Sequence, residues 1–364
     1  MTIGILTYHR AHNYGAMLQA YALKTYLQEN GHQVDFIDYW PDSHKKQYTL
    51  IKPIRGKNTY YKLLNIVSDL ITLIRRFLRI KQFNTFRKNY LKVYDPITYT
   101  NNENLVKENY DCVIVGSDQV WRAHEYEGKY VGLDSMYFCQ QVPNNTRCIA
   151  YAASMGIMLL TPDDKKLLAK YLNKFSTILV REHSLQELVT DLSFQAKVVL
   201  DPTLLLAKQQ WNTLLPIKRY REQKYVLFYE LMPSQEALQF AHKKAKSLNC
   251  ELLIMDSIIH TIPRRGHISD ASPIDFIHAI RDAEFVIATS FHGTAFSIIF
   301  EKQFITIGLK KNADRVKTLL QHINIPNNYQ TLPKELPPIN YSEVSQLLCS
   351  IRQQSQSLLM ESLQ

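Results

Sequence analysis

Residues 284–300 carry the strongest chemical signal in the chain, a histidine followed by glycine (His292, Gly293) with hydroxyls on either side at Ser290 and Thr294. A histidine titrating near neutrality can act as acid or base. The apolar run 285–288 predicts a buried strand, and apolar residues recurring through Phe296, Ile299 and Phe300 predict a helix after it. The turn between them exposes backbone N–H groups at the positive end of the helix dipole, where an anion can sit. Such a turn lies at the carboxyl edge of a sheet, where open α/β folds bind their ligands.

Three further strand ends could contribute. After the first strand, Asn13 can cap a helix and Gly15 permits a tight turn, so this segment could hold phosphate or sugar hydroxyls. Ordinary capping accounts for the same residues, and no G-x-G-x-x-G is present. At Gly116, Ser117 and Asp118 a second strand ends in small residues and a carboxylate, with Trp121 close behind. Asp118 could accept a proton or bind a hydroxyl, and Trp121 could offer its face to a sugar ring. The alternative is a capping aspartate and a tryptophan anchored in the core. Arg181 closes a third strand, where a guanidinium can clamp a carboxylate or phosphate, or pair with Glu182 or Asp201. Arg264 and Arg265 form a loop pair that could hold phosphate or be plain surface. The 12 histidines show no metal-ligand spacing, so no metal site is expected.

Strand-like and helix-like runs alternate almost throughout, which predicts an α/β protein with parallel sheets covered on both faces by helices. The 364 residues suffice for two domains, expected at 1–205 and 206–338, with 201–223 as the connection between them. The proline-rich stretch 333–338 leads to a terminal helix in 339–364, expected to pack back on the first domain.

Composition is that of an ordinary globular protein, 46% apolar and 21% charged. Five scattered cysteines without a C-x-x-C pair suit a reducing cytoplasm, the start reads as a strand and not as a signal peptide, and no stretch reaches membrane-spanning length. The net charge of +10 is concentrated: residues 41–92 hold 13 Lys/Arg against Asp42 and Asp69. Within this segment, apolar pairs recur at helical spacing over 60–86, predicting a helical pair. The pair could rest on an anionic membrane surface, or pack its apolar face on the domain and leave its basic face solvated. No nucleic-acid motif accompanies the basic residues, so nucleic acid is not an expected partner.

The chain resembles the polysaccharide pyruvyl transferase family. The resemblance rests on Asn13-Tyr-Gly-Ala16 with Leu18-Gln-Ala20, the run Gly116 to Trp121, Tyr151 to Gly156, Val180-Arg-Glu-His183, Asp201-Pro-Thr203 and Ser290 to Thr294. Each landmark is weak alone; six in family order are specific. The resemblance implies two Rossmann-like domains facing a cleft in a GT-B-like arrangement. It also implies transfer of a pyruvyl group from phosphoenolpyruvate, a donor substrate with no separate cofactor, to a sugar hydroxyl pair during surface-polysaccharide assembly. The acceptor would be a sugar, plausibly linked to lipid pyrophosphate at the inner membrane face. His292 then corresponds to the family's catalytic histidine and Arg181 to a donor-binding arginine. Some members carry arginine where this chain has Ser290, so Arg264, Arg265 or Arg315 would have to supply that charge. Two other functions fit the same pattern: a nucleotide-sugar glycosyltransferase on this fold, and a non-enzymatic scaffold of glycan assembly.

Overall fold

The structure, a computed structural model, describes residues 1–50, 58–94, 110–126, 129–156, 160–256, 259, 266–308 and 313–364. In the first half, β1 (Thr2–Leu6) leads to α1 (Tyr14–Glu29) and β2 (Gln33–Phe36). Then come a short α2 (Asp42–Gln47) and a long α3 (Thr59–Phe86), which runs into a π-helical turn at Arg87–Leu91. The chain continues through β3 (Cys112–Val115), the antiparallel hairpin β4 (His124–Tyr126) and β5 (Lys129–Gly132), and β6 (Arg147–Ala153). It completes this half with α4 (Pro162–Leu172), β7 (Thr177–Val180), α5 (His183–Asp191) and β8 (Lys197–Val198). Six of these strands form a parallel sheet in the order β2-β1-β3-β6-β7-β8.

A connection containing α6 (Lys208–Asn212) opens the second half. It comprises β9 (Tyr225–Glu230), α7 (Gln235–Ser247), β10 (Glu251–Asp256), β11 (His267–Ile268), α8 (Pro273–Asp282), β12 (Phe285–Ala288), α9 (Phe291–Ile299), β13 (Phe304–Ile307), α10 (Asp314–His322) and β14 (Tyr329–Gln330). Its sheet is also fully parallel, in the order β11-β10-β9-β12-β13-β14. Both are doubly wound Rossmann-like sheets, and each has a switch point where the winding reverses: between β1 and β3 in the first, between β9 and β12 in the second.

The elements follow their sequence signals. β3 reads Cys-Val-Ile-Val and is wholly buried, the pattern of a central parallel strand. Capping boxes at Thr161/Asp164 and Ser272/Asp275, each followed by proline at the first helical position, fix the starts of α4 and α8. The final helix, α11 (Tyr341–Leu363), returns to the first half: Arg352 donates to the Leu204 carbonyl, Gln356 to that of Leu205, and Ser355 accepts from the Leu200 N–H. The domains meet closely. One buried apolar cluster runs from Ile3 through Trp211 to Phe296 and Leu363, and Tyr14 of α1 stacks on Phe276 of α8 with centroids 4.9 Å apart.

The basic segment departs from the expected helical pair, and of the two packings left open it does not bury its apolar face on the domain. It is a six-residue helix and one helix of 28 residues, not a helical pair. The apolar stripe of α3 also faces outward: Leu63, Leu70, Ile74 and Phe77 are exposed, while Thr72 and Arg79 are buried against the protein. Polar groups serve that inner side. Asp69 pairs with Arg76, and Arg79 donates to the Ser269 carbonyl of the second domain.

Candidate active site between the two domains

Both switch points open onto one place. The chain leaving β3 turns at Gly116, whose φ of +119° favours glycine and whose missing Cβ leaves room for the Tyr151 carbonyl, 2.2 Å from where that atom would stand. The following Ser117 hydroxyl donates to Asp201, and its N–H donates to the Gln19 side chain from α1. From the second domain, β12 ends at Ala288, and Ser290 caps α9 by accepting from the Gly293 N–H. His292, in the first turn of α9, therefore projects at the first domain, where its ring lies against Gly15. A Cβ on Gly15 would sit 1.9 Å from His292 Nδ1, so no residue but glycine permits this approach.

The imidazole joins a buried charge cluster. His292 Nε2 is 3.8 Å from Asp201 Oδ2 and has no hydrogen-bond partner. Asp201 also accepts from Arg181 Nη1 at 2.6 Å, while Arg181 Nη2 is 3.8 Å from Asp118. Arg181 Nε and Nη2 make no hydrogen bond. Its guanidinium lies 4.8 Å from the centre of the Phe291 ring, and that of Arg315, from α10, lies 5.9 Å from the same ring. Behind them the buried Glu182 accepts from the Ser154 hydroxyl and the Met155 N–H through one oxygen and leaves the other without a partner.

Burial pushes the His292 pKa below its ordinary 6.5, Asp201 and Asp118 oppose that shift, and Arg181 and Arg315 add to it. Burial thus favours the neutral ring, the form that can accept a proton. Arg315 is depressed to about 10, by burial first and then by Arg181, so two buried cations repel each other here. Burial alone would raise Asp201, but the charges of His292 and Arg181 and the hydrogen bonds of Thr203 hold it down to about 2. Glu182 moves the other way, raised by burial against the pull of both arginines.

A cavity of about 480 Å³ adjoins the cluster through Asp118 and Asn13, and its other walls include Tyr8, His44, Tyr48 and His124. The Tyr8 hydroxyl donates to the Gln119 carbonyl and lies 3.3 Å from His124 Nε2. Burial lowers both His44 and His124 to about 4, and Arg122 lines the same cavity beside them. Beside it, a second cavity of about 430 Å³ shares Asn13, Gln47 and Tyr48 and reaches Arg76 and Arg79 of α3.

A family model described as polysaccharide pyruvyl transferase matches residues 13–311, most of the chain. The chain belongs to this family. Membership places it among proteins of pyruvyl transfer in polysaccharide biosynthesis. No curated protein sequence matches it. Among solved structures it is similar to a putative UDP-N-acetylglucosamine 2-epimerase from Listeria monocytogenes (9% identity, 98% of this chain and 89% of that one, TM-score 0.45). It is also similar to the UDP-GlcNAc 2-epimerase from Neisseria meningitidis (10%, 97% and 100%, 0.41) and the E. coli heptosyltransferase WaaC with ADP (13%, 96% and 100%, 0.39).

The structure brings His292, Arg181, Asp118, Ser117, Gly15 and Arg315 into one cluster, with Asn13 at its cavity wall. Arg264 and Arg265 lie outside the described residues. Trp121 is corrected: it is fully buried, stacks on Phe138 and donates its indole N–H to the Tyr137 carbonyl, so no ring face is open to a sugar. Ser290 and Thr294 also turn inward, Ser290 as a cap and Thr294 toward Thr306 and the Ser290 carbonyl. Gly293 is a packing position, where a Cβ would stand 2.8 Å from that of Ala288. Asp201, read from the sequence as a partner of Arg181 and as part of the Asp201-Pro-Thr203 landmark but not as a site residue, is the residue that joins Arg181, Ser117 and His292. The proline after it, breaking the chain at a strand end, was the available signal.

Proposed function

We propose that the interdomain cluster binds phosphoenolpyruvate and transfers its pyruvyl group to a pair of hydroxyls on a sugar. The observation that carries this reading is the pairing of two buried guanidiniums, Arg181 and Arg315, around Phe291 beside a neutral imidazole whose Nε2 has no partner. Arg315 is held down by burial and by the neighbouring Arg181 charge, whereas Arg181, against the effect of burial, is held up by Asp201, Asp118 and Glu182. An anion beside Arg315 would relieve it, and phosphoenolpyruvate brings a carboxylate and a phosphate. Arg315 supplies the cation that Ser290 cannot.

The acceptor sugar occupies the neighbouring cavity, with hydroxyls toward Asp118 and Asn13. His292 Nε2 takes the proton of the attacking hydroxyl, and the adjacent Asp201 carboxylate stabilises the imidazolium. A proton goes to the methylene carbon of the enol ester, the hydroxyl oxygen bonds to C2, and a second hydroxyl displaces phosphate from C2 to close the ketal. Two protons leave the hydroxyls: one ends on the methylene carbon, which becomes the methyl group, and the other leaves on the phosphate as the bond from C2 to the phosphate oxygen breaks. Five free cysteines fit a reducing cytoplasmic setting for this reaction.

The test is phosphate release from phosphoenolpyruvate by the purified protein against a panel of free and lipid-linked sugars. Release that depends on the sugar, with pyruvyl mass added to it, supports the reading. Turnover of a nucleotide sugar without phosphoenolpyruvate would assign a glycosyltransferase instead. Neither activity, with glycan output unaffected by His292→Ala, would assign a scaffold.

A further inference from the structure

Helix α3 is amphipathic with its faces reversed. Large apolar residues recur three or four apart at positions 60, 63, 64, 67, 70, 71, 74, 77 and 78, and all are between 37% and 72% exposed. The opposite side carries Asp69, Thr72, Arg76 and Arg79 and faces the protein. Eleven of the eighteen large hydrophobic side chains that are exposed among the described residues sit on this one helix. Scattered exposed leucines need no explanation, but a continuous stripe along a helix of about 42 Å does.

We propose that α3 lies in the plane of an anionic lipid bilayer, its apolar stripe among the acyl chains and its basic flanks at the headgroups. Charge selects this occupant. Residues 41–92 hold 13 Lys/Arg against two aspartates, and Lys62 and Lys81 are exposed on α3 itself. A second copy docked face to face would bring two such segments together and set like charge against like charge. An anionic surface attracts them, each basic residue contributing about 1 kcal/mol near the headgroups. No helix among the described residues is long and apolar enough to cross a membrane, so the contact is peripheral. The α2 that precedes this helix supplies His44 and Gln47 to the cavity wall, so a seated α3 holds that cavity near the bilayer surface.

The experiment is co-sedimentation of the full chain with phosphatidylcholine vesicles, with and without phosphatidylglycerol, alongside size-exclusion light scattering. Binding is expected to be at least about tenfold tighter to the phosphatidylglycerol vesicles. The variant Leu70→Glu/Ile74→Glu should lose at least about tenfold of it, with an unchanged melting temperature because both side chains are exposed. Lys62→Gln/Lys81→Gln should weaken the preference for phosphatidylglycerol and leave the fold alone, which keeps the test decisive should the glutamate variant misfold. Absence of vesicle binding, or binding that neither variant weakens, overturns the proposal. A wild-type dimer that Leu70→Glu/Ile74→Glu converts to monomer also overturns it and gives the face to a second copy.

Discussion

At the seam between the domains, two guanidiniums and an imidazole are buried with Asp201 and Glu182, and polar atoms of Arg181, His292 and Glu182 lack hydrogen-bond partners; along α3, a stripe of leucines, isoleucines and aromatics stands in water. Folding ordinarily does the reverse, hiding hydrocarbon and solvating charge. In the seam, the two switch points and the close approach of His292 to Gly15 hold the partly satisfied charges together, and the proposed anion would complete them. On α3, exposed hydrocarbon is tolerated because the helix is anchored by its polar side through Arg79 and by Phe83 and Phe86, which are buried in the core. On the two proposals made above, each local inversion of the inside-out rule marks what the molecule meets: a small anion in one place, an extended surface in the other.

The contrast can be broken by substitution, and the largest effects belong to the seam. His292→Ala should lower turnover at least about 100-fold with the melting temperature unchanged, given the usual contribution of a positioned acid or base. Steady-state kinetics beside a thermal melt checks this, and retained turnover removes His292 from the mechanism. Trp121→Ala should act on stability instead, costing about 3–5 kcal/mol in chemical denaturation, because the ring is wholly buried. A variant of normal stability with weakened acceptor binding would return Trp121 to the site.

Arg315→Ala should raise KM for phosphoenolpyruvate by about tenfold or more while moving kcat less, as expected for loss of one charge-assisted anion contact. The pH profile sharpens the role of the imidazole. Its pKa is held below 6.5 by burial, and the proposed step needs the neutral ring. Activity should therefore rise with pH through a value below 6.5 and then level off. A fall across that same range would make the protonated ring the working form. The smallest effect is expected on α3, where Leu70→Ser should change folding stability by no more than about 0.5 kcal/mol.

Much of this architecture was legible in the chain. The alternation of apolar runs and amphipathic stretches pointed to parallel sheets, and β12 falls where the apolar run 285–288 put it. The strand-to-helix turn at His292 was legible for the same reason. What periodicity could not supply was direction and distance. It identified α3 as helical, but the side facing the protein was decided by contacts such as Arg79 with Ser269, 190 positions apart. Convergence of Arg181 and Arg315 on Phe291 likewise joins three elements remote in sequence. The hairpin of β4 and β5, three and four residues long, was too short to give a pattern, and Trp121 read as well for a site as for a core.

The central claim is that the seam is an anion site for phosphoenolpyruvate, and calorimetric titration of the full chain with that compound tests it most directly. Saturable binding is expected, weakened about tenfold or more by Arg181→Ala and largely retained by His292→Ala. An absence of binding heat with phosphoenolpyruvate, together with saturable binding of a nucleotide sugar, would contradict it.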